Sequence, residues 1–463
     1  MTPYSFSNVQ VVVLAAGRGT RMCSAKPKVL HELLGKSMLE HVLTSLESLN
    51  ARGMSVVTGH DSERVRTAVA EKHHATWVLQ ADQLGTGHAV QQCETSCHLA
   101  DHVLIVCGDT PLLQTETLAA LISEHEAEDS DVTLLSAIQL NPTGYGRVCR
   151  NDHGVVHSVV EEKDADECIR HIQEVSSGIF CVKKGVLFEC LAEVDNQNNQ
   201  AEYYLPSILP IAVGKGYKLH TVKMNDANEM LGVNDRTQLR RVTALLQQRI
   251  IRDWEKKGVS FEQVETIRID TSVHLGMDTV IYAGSQLLGN THVGDSCEVG
   301  PYAVIDCSWV EDGVKIDAFS HLEQSHVSMH ARVGPYARLR PQARLDEGVK
   351  IGNFVEIKKS VIGQNSKVNH LSYVGDAEVG RECNIGAGTI TCNYDGANKH
   401  KTLIGDHVFI GSDTKLIAPV VVGDGATLGA GSIITKAVEG GGLTLSIRTE
   451  QRYIKEWKRP TKA

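Results

Sequence analysis

Two sets of residues in this chain have the types and spacing for chemistry. The first opens with Leu14-Ala15-Ala16-Gly17-Arg18-Gly19-Thr20-Arg21-Met22, followed by Lys26-Pro27-Lys28-Val29-Leu30. Small residues and glycines let backbone amides approach phosphate oxygens, and Arg21 and Lys28 can neutralise charge building on a leaving pyrophosphate. No GKS or GKT follows, and Met22 stands where a GxGxxG turn would end, so this is neither a Walker loop nor a dinucleotide fingerprint. Further on, Gln80-Ala81-Asp82-Gln83-Leu84-Gly85-Thr86-Gly87-His88-Ala89 offers glycines and amides suited to a flat base edge. Cys107-Gly108-Asp109 closes an apolar run with a carboxylate, a hard oxygen ligand fit for magnesium. The second set lies near the other end: Arg340, Glu356, Lys358, His370 and Tyr373. His370 beside Glu356 makes a general base, the imidazole taking a proton from an amine while the carboxylate orients it and stabilises the cation.

The elements that must position these residues differ between the two halves. From residue 9 to about 235 short apolar runs alternate with helix-like segments, as in VQVVVLAA, MLEHVLTSLESL, MSVVTG and HVLIVCGD. Strand, helix, strand in that order predicts an α/β domain built on a parallel sheet, with ligands beyond the carboxyl ends of the strands, at the loops that start with Gly17, Gly59 and Gly108. Between Arg236 and Lys257, Leu239, Val242, Leu246, Ile250 and Trp254 fall three or four apart. That spacing predicts an amphipathic helix, either a rigid spacer or the last helix of the first domain.

After about residue 265 the period becomes six. Aliphatic residues stand at Leu275, Ile281, Leu287, Val293, Val299 and Ile305, then at Val333, Leu339, Leu345, Ile351 and Ile357. They resume at Ile362, Val368 and Val374, and again at Ile404, Ile410, Leu416, Val422, Leu428 and Ile434, many of them followed by glycine. Such a repeat predicts a left-handed parallel β-helix, three hexapeptides per triangular coil and roughly nine coils. The repeat breaks between Gly386 and Leu403, where an insertion from a regular prism marks a candidate functional loop. The organisation expected is therefore a Rossmann-like domain over residues 1–236, a linker helix over 237–257 and a prism over 258–463.

Composition excludes several classes. The chain has 463 residues, which at about 150 per domain suggests two or three folding units and rules out a peptide hormone or disulfide mini-scaffold. A formal net charge of −10 leaves no global positive field to recruit nucleic acid or anionic lipid, so a polyanionic ligand has to be held locally. The 12 cysteines include no CxxC pair, which points to reduced thiols in the cytoplasm. No run approaches the roughly 18 uncharged apolar residues of a membrane span, so membrane insertion is not expected.

LAAGRGTRM followed by PKVL resembles the opening of the sugar-nucleotide pyrophosphorylases, which act on sugar 1-phosphates. The resemblance implies that Leu14, Ala15, Ala16, Gly17, Lys28, Gln80, Gly85 and Thr86 bind UTP, with the Gln80 segment on uracil. It also implies that Asn234 joins Asp109 as a magnesium ligand and that Gly146, Glu161 and Ser176 line the sugar pocket. Ser176 and Cys107 stand where that family usually has asparagine and tyrosine.

From Arg340 through GAGTITCNYDGANKHKT to Gly411-Ser412-Asp413-Thr414 the chain resembles the bifunctional family that makes UDP-N-acetylglucosamine in bacteria, and the likeness covers nearly its whole length. It implies that Arg340, Lys358, Tyr373 and Asn384 hold the amino-sugar phosphate. Ala387, Asn393, Tyr394, Ser412, Ala430 and Arg448 would then contact acetyl-CoA, with trimers of prisms as the assembly. The small-molecule chemistry so implied is acetyl transfer to glucosamine 1-phosphate and then uridylyl transfer from UTP. The basic tail from Arg448 to Lys462 either is solvated or packs on a neighbour beside the coenzyme. Two rival readings are a pyrophosphorylase for another sugar whose prism is only a rod, and a non-catalytic regulatory subunit, against which Arg21, Lys28, Asp109 and His370 argue.

Overall fold

A computed structural model describes residues 4–446 of the chain. It divides into two compact units between Leu246 and Gln247. In the first, seven strands lie side by side in the order Leu219–Lys223, Val132–Ile138, Glu174–Lys183, His102–Cys107, Phe6–Ala15, Ala51–Thr58 and Thr76–Leu79. Val11 and Val13 of the central strand point into one apolar cluster and Val12 into another, the alternation required of a strand covered on both faces.

Phe6–Ala15 pairs in parallel with both neighbours, Leu14 opposite Cys107 and Ala15 opposite Thr58. The loops that follow these three strands therefore leave from one edge, and Gly108 N donates to Leu14 O at 2.9 Å. The parallel sheet expected from the strand–helix alternation has an exception at Glu174–Lys183, which runs antiparallel to both His102–Cys107 and Val132–Ile138. The cause lies in the connection. After Ile138 the chain forms the hairpin Arg147–Arg150/Val156–Val160 and a single short helix, Glu167–Arg170, then re-enters opposite its exit, with Glu174 paired to Ile138. Without a crossover helix the returning strand has to point backwards.

The long helix spans Arg236–Glu255. Val242 and Leu246 are buried, while Ile251 joins the core of the second unit and Ile250 and Trp254 pack against it. No described helix is long and apolar enough to cross a membrane.

The second unit is a left-handed β-helix whose described residues form three parallel sheets of 11, 10 and 9 strands. Every aliphatic residue of the six-residue series is buried in one continuous core. Val310, Ile316, Leu322 and Val327 belong to the same core and fill the gap between Ile305 and Val333. A strict period of six misses them because coils here hold 17 residues, as in Ile305↔Leu322 and Val310↔Val327, whereas Leu287↔Ile305 spans 18. The interruption is also shorter than the repeat suggests. Ile390–Cys392 stays in the ladder, with Tyr373 on one side and Lys415 on the other. Val379↔Ile404 spans 25 residues where Ile404↔Val422 spans 18, so the extra chain loops out between Cys392 and Thr402.

Candidate functional sites

In the first unit, the ends of Phe6–Ala15 and His102–Cys107 and the Gln80 loop line a cleft of about 250 Å³, to which the end of Ala51–Thr58 and the loop from Gly59 contribute no lining residue. Leu14, Ala15, Ala16, Gly17, Lys28, Gln80, Gly85, Thr86 and Asp109 all line it. Gly19 adopts φ +62°, and a Cβ there would come within 2.5 Å of Lys28 Cβ, so only glycine lets the lysine stem pass. Lys28 reaches inward to an ion pair with Asp109 Oδ2 and donates to Asn234 Oδ1 at 3.1 Å. The backbones of both residues are anchored: Val233 N donates to Asp109 O at 3.0 Å, and Asn234 N to Gln238 Oε1 at 2.7 Å. Two hard oxygens thus converge on one cation, a donor set that suits magnesium if phosphate oxygens and water complete the shell. Among the described residues no cluster of three or more His, Cys, Asp or Glu could hold a metal by itself.

The base-side loop is braced from a distance. Gly85 sits at φ +119° against the backbone of Tyr203, and Gly87 N donates to Tyr203 O at 2.7 Å. Buried Gln80 donates from Nε2 to Gly85 O at 3.0 Å, which shapes the loop that would face the base. Glu202 enters the cleft from that same distant segment, and Arg18 donates to Gln83 Oε1 at 3.1 Å across the opening. The place of Glu202 is not legible in the sequence, because nothing in AEYYLP marks it as a partner of residues 80–89.

Gly146, Glu161 and Ser176 form a connected group outside that lining. Ser176 N donates to Gly146 O at 2.8 Å, and a Cβ on Gly146 would lie 3.3 Å from Glu161 Oε1. Burial, then the charge of Asp164, raises the carboxyl of Glu161 above its ordinary range. Burial and the neighbouring Asp109 push the Cys107 thiol up to about 12, so it stays protonated at neutral pH and is no nucleophile. Arg21 lies exposed on the turn Thr20–Met22 and is not one of the lining residues.

In the second unit, His370 is exposed at the end of Lys367–His370. Its Nδ1 donates to Asn353 Oδ1 at 3.0 Å. The expected orientation by Glu356 is corrected here. The 17-residue register places Asn353 opposite His370 and Glu356 opposite Tyr373. Glu356 instead accepts from Arg340 Nη1 at 2.9 Å. Asn353 carries no motif signal of its own; only the 17-residue coil length, counted back from His370, points to it.

Around the corner from His370, Lys358 lies 4.0 Å from buried Asp376, and Asn393 Nδ2 donates to the same carboxylate at 2.5 Å and to the Tyr373 hydroxyl at 3.4 Å. Lys399, from the looped-out segment, is held below the usual lysine range by the ammonium of Lys358 beside it. Two lysines crowded together with Arg340 near form a seat for a dianion. Asn384 lies instead on the sheet of His370, in register with Lys367 and Phe409.

The ladder Val368↔Ile385↔Ile410↔Leu428 also aligns His370, Ala387, Ser412 and Ala430 into one column. Backbone bonds tie its rungs, Asp413 N to Ala387 O and Gly431 N to Ser412 O, both at 2.7 Å. Tyr394 stands exposed at the root of the loop. Arg448 lies outside the described residues.

Residues 11–173 match a family model described as a MobA-like NTP transferase domain, and residues 322–438 match one described as the GMPPB C-terminal domain. The chain is 46% identical to the bifunctional protein GlmU of Alkalilimnicola ehrlichii over 98% of its own length and 96% of that protein. It is 45% identical to that of Francisella philomiragia over 98% of its length and all of the relative, and 43% identical to that of Pelobacter propionicus over 97% and 98%. With identity at that level over nearly the full length of both partners, the chain belongs to the GlmU family of bifunctional proteins.

Proposed function

We propose that this enzyme makes UDP-N-acetylglucosamine in two steps, one in each compact unit, and so supplies precursors of the bacterial cell wall. It is both a glucosamine-1-phosphate N-acetyltransferase and an N-acetylglucosamine-1-phosphate uridylyltransferase. The observation that carries the reading is the separation of two chemically distinct clusters, Lys28–Asp109–Asn234 and His370–Asn353, in a chain similar throughout to bifunctional relatives.

In the prism, Arg340, Lys358, Tyr373 and Lys399 hold the phosphate of glucosamine 1-phosphate, with Asn384 at its edge. The proton on His370 Nδ1 is committed to Asn353, so the Nε2 lone pair faces the amine. Nε2 takes the proton as nitrogen attacks the thioester carbon of acetyl-CoA, the C–S bond breaks and coenzyme A leaves. Ala387, Ser412 and Ala430 line the column along which the coenzyme lies, and Asn393 and Tyr394 flank it; the family resemblance adds Arg448, outside the described residues, as a further contact to acetyl-CoA. The prisms assemble as a homotrimer with this site between copies.

In the amino-terminal cleft, a phosphate oxygen of the acetylated sugar attacks the α-phosphorus of UTP and pyrophosphate departs. Gly17 and its neighbours offer amides to the phosphates, the Gln80–Thr86 loop holds uracil, and Gly146, Glu161 and Ser176 face the sugar. Lys28 and Arg21 offset charge on the leaving group. Magnesium held by Asp109 and Asn234 would supply Lewis-acid stabilisation of the triphosphate. Both reactions take place in the cytoplasm.

Separation of the activities tests the proposal. His370→Ala should lower acetyl transfer by roughly 10²–10⁴ and spare uridylyl transfer, while Asp109→Asn should do the reverse. Loss of both activities in either folded variant would contradict two independent sites.

A further inference from the structure

We propose that Lys28 guards the cation seat of the uridylyltransferase cleft: its ammonium and a divalent cation compete for the same two oxygens, and an arriving triphosphate releases them by drawing the lysine away. This inference rests on the reading of Asp109 and Asn234 as metal ligands and adds to it a residue that controls when they are available.

The geometry carries it. Lys28 Nζ pairs with Asp109 Oδ2 and donates to Asn234 Oδ1 at 3.1 Å, so one cation already joins the two groups that a metal would join. The contact is sheltered, with the lysine side chain 11% exposed and that of Asp109 21%. A charge pair partly withdrawn from water attracts more strongly than one on the surface, so a metal entering alone has to break a substantial interaction. The backbones that carry the two acceptors are anchored, Asp109 O accepting from Val233 N and Asn234 N donating to Gln238 Oε1, so both side chains leave from fixed points.

The phosphate loop itself touches the lysine. Gly19 lies so close to the Lys28 stem that even a methyl group would collide with Lys28 Cβ. Oxygens of a triphosphate settling on that loop meet Lys28 at its own stem and offer its ammonium several negative partners. Once the ammonium turns to them, both seat oxygens face the space where the cation arrives. By linkage, nucleotide then raises affinity for the cation and the cation raises affinity for nucleotide by the same factor.

The test is Mn²⁺ binding to the full-length protein with no nucleotide present, read as free Mn²⁺ by electron paramagnetic resonance. Lys28→Met should bind Mn²⁺ roughly tenfold or more tightly than the wild type. Arg18→Met removes one positive charge from the same loop, yet Arg18 bonds to Gln83 and not to the seat, so it should change affinity less than about threefold. Equal affinity in Lys28→Met and wild type, or an equal gain in Arg18→Met, would overturn the proposal. Lys28→Gln provides the same comparison should Lys28→Met fail to fold. Adding Asp109→Asn to Lys28→Met separates the two claims. Loss of Mn²⁺ binding there upholds the seat, so a missing Lys28 effect condemns only the guard; unchanged binding would show that the seat lies elsewhere.

Discussion

His370 donates from Nδ1 to Asn353 Oδ1 over 3.0 Å, one coil of the prism to the next. An amide oxygen can only accept, so this bond selects the tautomer whose Nε2 is a base. Asn353→Ala should leave the fold intact and lower the rate of acetyl transfer by roughly tenfold or more. Asn353→Asp, which keeps an acceptor at the same place, should retain more activity than the alanine variant. Steady-state assays of both variants check this, and equal activity of Asn353→Ala and wild type would remove the orienting role.

A second expectation concerns Gly85. At φ +119°, with Tyr203 O 2.6 Å from the place a Cβ would occupy, alanine is both strained and crowded by backbone that cannot yield. Gly85→Ala should destabilise the loop by about 1–3 kcal/mol and reduce kcat/KM for uridylyl transfer, with acetyl transfer unchanged. Assaying both activities on one preparation decides it; intact uridylyl transfer would mean that the Gln80–Thr86 loop is not part of the site.

The pair of His125 and partly exposed His102 predicts a pH dependence of stability. His125 is fully buried and bonded to Thr133 Oγ1 at 2.8 Å and to His102 at 3.0 Å. Burial, then the neighbouring His102, lowers its pKa to about 4. Its unfolded value is about 6.5, so between these values the unfolded chain binds the extra proton. The neutral form's contribution is complete above pH 6.5 and is lost as the pH falls toward 4, roughly 2–3 kcal/mol in all. Urea unfolding of the amino-terminal unit at pH 7 and pH 4.5 should show a smaller acid loss in His125→Gln than in wild type. Equal losses would place the acid sensitivity in other groups.

Much of this architecture is visible in the residues themselves, and the exceptions have physical causes. The buried aliphatic series fixes the prism because each such residue has to point inward once per face, yet Val310 to Val327 escape a strict period because a corner can close with one residue fewer. The same shortened coil places Asn353, not Glu356, against His370. Loop glycines mark the phosphate side of the cleft, since their conformations are local. Glu202 and Lys399 reach their sites through chain folding back over distance, which no local spacing records. The backward course of Glu174–Lys183 depends on a connection that lacks a crossover helix, and its apolar run reads alike in either direction.

The central claim is that the prism is itself an enzyme. Its most direct test is release of free thiol from acetyl-CoA by the purified full-length chain, with and without glucosamine 1-phosphate. Release that depends on the amino sugar and disappears in His370→Ala is the predicted result. No sugar-dependent release from folded protein that still transfers uridylyl groups would reduce the prism to a scaffold and contradict the account.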